Sequence, residues 1–303
     1  MEPVYIIGAG AIGKVLAVCL SNDGKKVVLL RGSVDNGETH RENIRVMLPS
    51  QEIIEAEVTI DTLSNYHSLE GLVALCIKSY GNAALADALK DKIGYSPLVL
   101  LQNGLGVEQA FLDFPSVYRC VLFATSQPVS DTKLSFKPVA VSPIGRISGG
   151  DEISLGHIAG LLNTPYFGFR TEPDIQPVIW KKAIVNSVFN SVCPLLETDN
   201  GIFHRNPRAL QIAESLAAEC LCVAKEQDIN LSLAEVMDSL LLISRSSDGQ
   251  FISTLQDIRN HRPTEIATLN LAIAGMAATE QAIIQTLLLG QLTLLKSQLS
   301  INH

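Results

Sequence analysis

The 303-residue sequence holds no cluster of lysine and arginine, and its formal net charge is −8. With no basic patch there is no electrostatic footprint for nucleic acid or an anionic membrane, so neither is expected as a partner. A basic leader is missing too. Met1-Glu2-Pro3 passes straight into an apolar strand, which predicts no signal peptide and a cytoplasmic location. No apolar run is long enough to span a bilayer: Ala282 to Leu295 is broken by Gln285, Thr286, Gln291 and Thr293, and reads as a buried helix. The six cysteines (Cys19, Cys76, Cys120, Cys193, Cys220, Cys222) form no C-x-x-C pair and sit in apolar contexts, as reduced core thiols do. The histidines lack ligand spacing, and no metal is expected.

What remains is a chain that is 47% hydrophobic and large enough for two domains. Val4-Tyr5-Ile6-Ile7 fits a fully buried parallel strand. Gly8-Ala9-Gly10-Ala11-Ile12-Gly13 follows at once, and a helix opens with Ile12, Val15, Leu16, Cys19 and Leu20 on one face. Strand, G-x-G-x-x-G and helix in that order mark a dinucleotide-binding turn. The glycines allow a tight turn, a close approach of backbone to pyrophosphate, and close helix–strand packing. The helix N-terminus adds N–H donors and the positive end of its dipole.

The second strand, Lys26 to Leu30, runs into Arg31 and Ser33. NAD-binding domains carry an acid here for the ribose hydroxyls. A guanidinium beside a hydroxyl suits a 2′-phosphate instead, and NADP is favoured. Two short strands, Ile53-Ile54 and Glu57 to Ile60, are expected next, then a buried strand Leu72 to Ile77 ending at Lys78. Another strand, Leu98 to Leu101, ends in Gln102-Asn103-Gly104. Ligands of open α/β sheets sit beyond the carboxyl ends of strands, so the glycine loop, Arg31, Lys78 and Asn103 are expected to line one crevice. Val117 to Ala124 and Val139 to Ile147 read as later strands.

Beyond the proline- and aromatic-rich connector at Thr164 to Phe169 the pattern turns helical, which sets domains of 1–170 and 171–303. In the first helix of the second half, Lys182, Asn186 and Asn190 recur every four residues and share a face. Ile179, Ala183, Ile184, Val185, Val188 and Phe189 surround them. A polar file on a mostly apolar helix suggests a face turned to a cavity, although a narrow solvated stripe gives the same pattern. Further on, Ser253 to Arg259 leads to Pro263-Thr264-Glu265-Ile266. Glu265 reads locally as a first-turn acid favouring the helix dipole.

With these residues in hand, the chain resembles the ketopantoate reductase (2-dehydropantoate 2-reductase) family from end to end. The resemblance rests on the Gly8–Gly13 loop, Arg31, Lys78, Gln102-Asn103-Gly104, the Trp180–Lys182–Asn186–Asn190 helix, Asp199-Asn200-Gly201, and the Ser253…Glu265 segment. It implies a doubly wound, mostly parallel α/β Rossmann domain followed by an all-α domain. It also implies NADPH-dependent reduction of a 2-keto acid, feeding pantothenate and coenzyme A synthesis. By motif match Lys182 is the general acid and Glu265 its partner in proton handling. Asn186, Asn190, Ser253 and Asn103 contact substrate. Gly8, Ala9, Gly10, Ala11, Ile12, Gly13, Arg31, Lys78 and again Asn103 serve the cofactor.

The sequence departs from the family pattern at Thr254, where a methionine is usual, at Leu271, where a glycine is usual, and in the stretch Phe123 to Gln127. A reductase of another 2-keto acid is therefore a second reading, and a non-catalytic NADP-sensing protein a third. A homodimer is compatible with the sequence. The residue types suit the chemistry: a lysine among apolar side chains titrates closer to neutrality and can serve as general acid, while its charge steadies an alkoxide.

Overall fold

The computed structural model describes residues 2–32 and 34–301. The chain divides into two compact units, 1–102 with 107–175, and 103–106 with 176–303. In the first unit the elements are β1 (Val4–Ile7), α1 (Ala11–Asn22), β2 (Val27–Leu30), β3 (His40–Met47), β4 (Ile53–Asp61), β5 (Leu72–Leu75), α2 (Asn82–Leu89) and β6 (Leu98–Leu100). They continue with β7 (Ser116–Cys120), β8 (Ala124–Pro128), β9 (Lys133–Pro138), β10 (Ser142–Gly149), α3 (Glu152–Leu162) and β11 (Phe169–Thr171). All eleven strands join one sheet in the order β11-β10-β7-β6-β5-β1-β2-β4-β3-β9-β8.

From β4 through β2, β1, β5 and β6 to β7 the pairing is parallel. The antiparallel pairs are β10–β7, β3–β4 and β8–β9. Strand order reverses about β1, which has β2 on one side and β5 on the other. That reversal is the switch point at which such sheets bind ligands. Both faces are covered, as a parallel sheet requires. Val4 and Ile6 pack with α1 and α3 on one face, while Tyr5 and Ile7 pack with α2 and Phe111 on the other.

Several sequence expectations are corrected here. The polar stretch after Arg31 forms the β3–β4 hairpin, one continuous β4 replacing two short strands. The expected strand Val117 to Ala124 is two, β7 and β8, and β9 and α3 were not foreseen. The first unit runs on past residue 170 because β11 pairs with β10 at the sheet edge.

The second unit is helical: α4 (Gln176–Leu196), α5 (Ile202–Arg205), α6 (Pro207–Glu226), α7 (Leu233–Ser246), α8 (Ser253–Arg259), α9 (Asn270–Gly275) and α10 (Ile284–Ile301). Helix α4 is central and packs against α6, α7, α8, α9 and α10. Local chemistry sets several boundaries. Asn206 accepts from the Arg208 and Ala209 N–H groups ahead of Pro207. Ser232 and Glu235 form a reciprocal cap on α7. The stretch expected to be a buried helix, 282–295, is helical from Ile284 but buries only one face (Thr286, Gly290, Thr293, Ser297). Cys222 is exposed, against the expectation that all six thiols lie in the core. Burial pushes the Cys19, Cys193 and Cys220 thiols up to about 12, which leaves them protonated and inert. Among the described residues no helix is long and apolar enough to cross a membrane.

Candidate functional site

In the first unit, the carboxyl end of β1 turns directly into α1. A Cβ on Gly13 would lie 1.9 Å from the Gly8 carbonyl oxygen, so the turn closes only with hydrogen there. A Cβ on Gly10 would meet nothing within 4 Å. Gly10 is also the N-cap of α1 and supplies no side-chain cap. Open space above an uncapped helix N-terminus fits a dinucleotide pyrophosphate.

Arg31 follows β2. Its Nη2 donates to Asn36 Oδ1 at 3.1 Å and to the Glu38 carbonyl, and Nη1 lies 3.8 Å from Glu38 Oε2. Its Nε is buried with no partner among the described residues. Ser33, expected beside it, lies outside the described residues. The loop holding Arg31 is fastened by Asp61 at the end of β4. Asp61 Oδ1 accepts from Thr39 Oγ1 (2.7 Å), Asn65 Nδ2 (2.7 Å) and the Thr62 N–H (2.8 Å), and Oδ2 accepts from the Tyr66 hydroxyl (2.9 Å). Burial opposes ionisation of Asp61, but these donors outweigh it and hold its carboxyl below the usual range.

Lys78 sits half-buried just beyond β5, as the N-cap of the turn Ser79–Gly81. An amide pair ties this region to the end of β6. Asn82 Nδ2 donates to Gln102 Oε1 (3.0 Å), while Gln102 Nε2 donates to Asn82 Oδ1 (2.6 Å) and to the Ile77 carbonyl (3.1 Å). Arg119, buried on β7, bonds Glu108 and donates from Nη2 to the Gln102 carbonyl at 3.3 Å. The sequence reading missed Asp61, Asn82, Arg119 and Glu108. They hold neighbouring segments without being ligand-type signals themselves, and the pairings that matter, such as Asp61 with Thr39 and Asn82 with Gln102, join residues 22 and 20 apart in sequence.

In the second unit, Lys182, Asn186 and Asn190 all lie on α4, the first two half-buried and Asn190 buried at 2% exposure. Asn190 joins two helices. Its Nδ2 donates to the Asn186 carbonyl at 2.9 Å, and its Oδ1 accepts from Ser253 Oγ and from the Thr254 N–H, both at 3.3 Å. The amide thereby caps the start of α8, which has no cap of its own. It also brings Ser253 to the polar file. Glu265 precedes the turn Ile266–Thr268, which α4 contacts. Its carbonyl accepts from the Thr268 N–H and hydroxyl, each at 3.0 Å. Thr268 in turn accepts the Leu105 N–H at 2.8 Å. Gly104 (φ +96°) makes this approach feasible, since a Cβ there would come within 2.4 Å of Thr268 Oγ1. The Gly104–Leu105 segment that follows Asn103 is therefore seated on the turn after Glu265. Where the family glycine is absent, Leu271 packs into the room left by Gly290, whose added Cβ would be 2.8 Å from Leu271 Cδ2.

A glycine turn on a doubly wound sheet, continued by a helical unit carrying a lysine, amides and a carboxylate, defines the class of two-domain pyridine-nucleotide oxidoreductases. The chain belongs to the ketopantoate reductase family: residues 4–140 match the family described as Ketopantoate reductase PanE/ApbA, and residues 174–289 match its C-terminal part. A 2-dehydropantoate 2-reductase of Pyrococcus abyssi is 25% identical over 275 residues, covering 90% of each chain. Among solved structures, D-mandelate dehydrogenase with NADH and anilino(oxo)acetate superposes with a TM-score of 0.85 at 22% identity, covering 99% of this chain and 100% of that one. A dimeric ketopantoate reductase from Staphylococcus aureus gives 0.80 at 19% identity, covering 97% and 99%.

Proposed function

We propose that the protein reduces 2-dehydropantoate (ketopantoate) to pantoate with NADPH, the reduction that feeds pantothenate and coenzyme A synthesis, and that it does so as a homodimer. The observation that carries the catalytic reading is the junction at Asn190, which draws Ser253 onto the Lys182–Asn186 face. The dimeric Staphylococcus aureus relative supports the assembly. Bound NADPH supplies the hydride. The Gly10 turn and the α1 N-terminus hold its pyrophosphate, with Lys78 and Asn103 serving the cofactor side. Arg31 would hold a 2′-phosphate, its present contact with the Glu38 carboxylate being long at 3.8 Å and on a 72% exposed side chain. Lys182 gives a proton to the oxygen that becomes the alcohol, its charge steadying the alkoxide before transfer. Glu265 passes a proton back to Lys182. Asn186 and Asn103 offer amides to the substrate, Ser253 its hydroxyl, and Asn190 its second Nδ2 hydrogen.

Arg31→Ala is expected to weaken NADPH binding about 10- to 100-fold, the worth of one charge-assisted hydrogen bond, and to leave NADH binding nearly unchanged. Fluorescence titration of both cofactors measures it, and equal losses would make Arg31 structural.

Substrate is tested by NADPH oxidation across a panel of 2-keto acids. Ketopantoate is expected to be favoured over 3,3-dimethyl-2-oxobutanoate, which lacks its terminal hydroxyl, because polar groups built for that hydroxyl are left unpaired. Asn186→Ala should narrow the gap. Comparable efficiency with both acids, or a preference for an aromatic 2-keto acid, would favour a broader 2-keto acid reductase. No turnover with any acid would favour a nucleotide sensor.

A further inference from the structure

Helix α10 buries a face of small residues within the chain and leaves an apolar face outward. Thr286, Gly290, Thr293 and Ser297 are buried against the helical unit. On the far side Ile284, Leu288, Leu292, Leu295 and Leu299 recur at spacings of four, four, three and four, each between 43% and 59% exposed. A surface helix ordinarily turns a polar face outward, so a continuous outward apolar stripe marks a surface that is normally covered. Here the outward face carries no charge at all. The one charged residue of α10, Lys296, is bound to Glu197 Oε1 (2.7 Å) and the Pro194 carbonyl (2.8 Å).

We infer that this face is the homodimer contact, formed by α10 against the α10 of a second copy running antiparallel about a two-fold axis between Gln291 and Leu292. The inference rests on the homodimer part of the reading above and names its surface. The stripe is self-complementary: about a point between Gln291 and Leu292, Ile284 falls opposite Leu299 of the second copy and Leu288 opposite its Leu295, the correspondence an isologous contact requires. The five side chains expose on the order of 450 Å², within the range of a monomer's largest apolar patch (about 300–600 Å²). That also approximates the apolar share of a standard interface burying about 800 Å² per partner. Charge selects the occupant as well. Two copies, each of net charge −8, repel over most of their surface and meet most easily where charge is absent. An anionic membrane would call for basic side chains offered beside the stripe, whereas Lys296, the one basic residue of α10, is bound to Glu197 and the Pro194 carbonyl.

The full chain is examined by sedimentation equilibrium alongside Leu288→Lys/Leu295→Lys, which places four like charges in the proposed contact. The wild type is expected to be a dimer and the double variant a monomer, its dissociation constant raised about 100-fold or more. Independently, Leu292→Cys is expected to form a disulfide-linked dimer on mild oxidation with copper phenanthroline, whereas the wild type, with its exposed Cys222, should not link. A wild-type dimer that survives the double variant unchanged overturns the α10 contact and leaves the homodimer standing. A monomeric wild type overturns both.

Discussion

Replacing Lys182 by alanine is expected to lower kcat by about 10²–10⁴-fold, the range for losing a positioned general acid. Cofactor affinity should stay close to wild type, because the residues assigned to NADPH lie elsewhere in the chain. Lys182 stands at the start of the polar file on α4, half-buried, with Asn186 and Asn190 one and two turns further on. Lys182→Arg sharpens the result. An arginine keeps the positive charge but does not release its proton, so it should restore part of the alkoxide stabilisation and little of the proton transfer. Steady-state kinetics with ketopantoate and a separate NADPH titration measure both effects. If Lys182→Ala turns over at nearly the wild-type rate, the file is only a solvated stripe and the catalytic assignment falls.

Arg119→Met is expected to cost about 3–5 kcal/mol of stability, the penalty for breaking a buried ion pair. The Arg119 side chain is 2% exposed and that of Glu108 14%. Burial pulls the Arg119 guanidinium below its ordinary pKa, with Glu108 opposing, so the pair is held in a setting costly to either charge alone. Removing the arginine strands the carboxylate. Arg119→Met/Glu108→Leu should recover most of the loss, since replacing both partners by apolar groups is often neutral or stabilising. Denaturant unfolding of the three proteins gives the comparison, and a single-variant loss below about 1 kcal/mol would show the pair to be solvated. Because Arg119 also holds the Gln102 carbonyl, the single variant should raise KM through the neighbouring Asn103 loop.

The sequence carried its clearest signals where a requirement is local. The Gly8–Gly13 turn, the four-residue spacing of Lys182, Asn186 and Asn190, and the continuous apolar strands each follow from neighbours a few residues apart, and local periodicity was enough to find them. The hairpin β3–β4 was harder to read because its exposed face alternates with charged residues and resembles loop. Helix α10 was misread because its apolar content alone does not tell which face meets the body and which meets solvent.

By itself, then, the sequence determined a doubly wound α/β unit followed by a helical one, the glycine turn after the first strand, and the resemblance to the ketopantoate reductase family. The tertiary structure alone decided how those residues are held. Nothing in the chain order announces that Asn190 caps α8 from 63 residues away, that Gly104 packs on Thr268, or that Asp61 and Arg119 secure loops at the ends of other strands. Such pairings depend on which strands and helices become neighbours. Burial then enforces them, because a polar group taken out of water must find its partner wherever the fold has brought one.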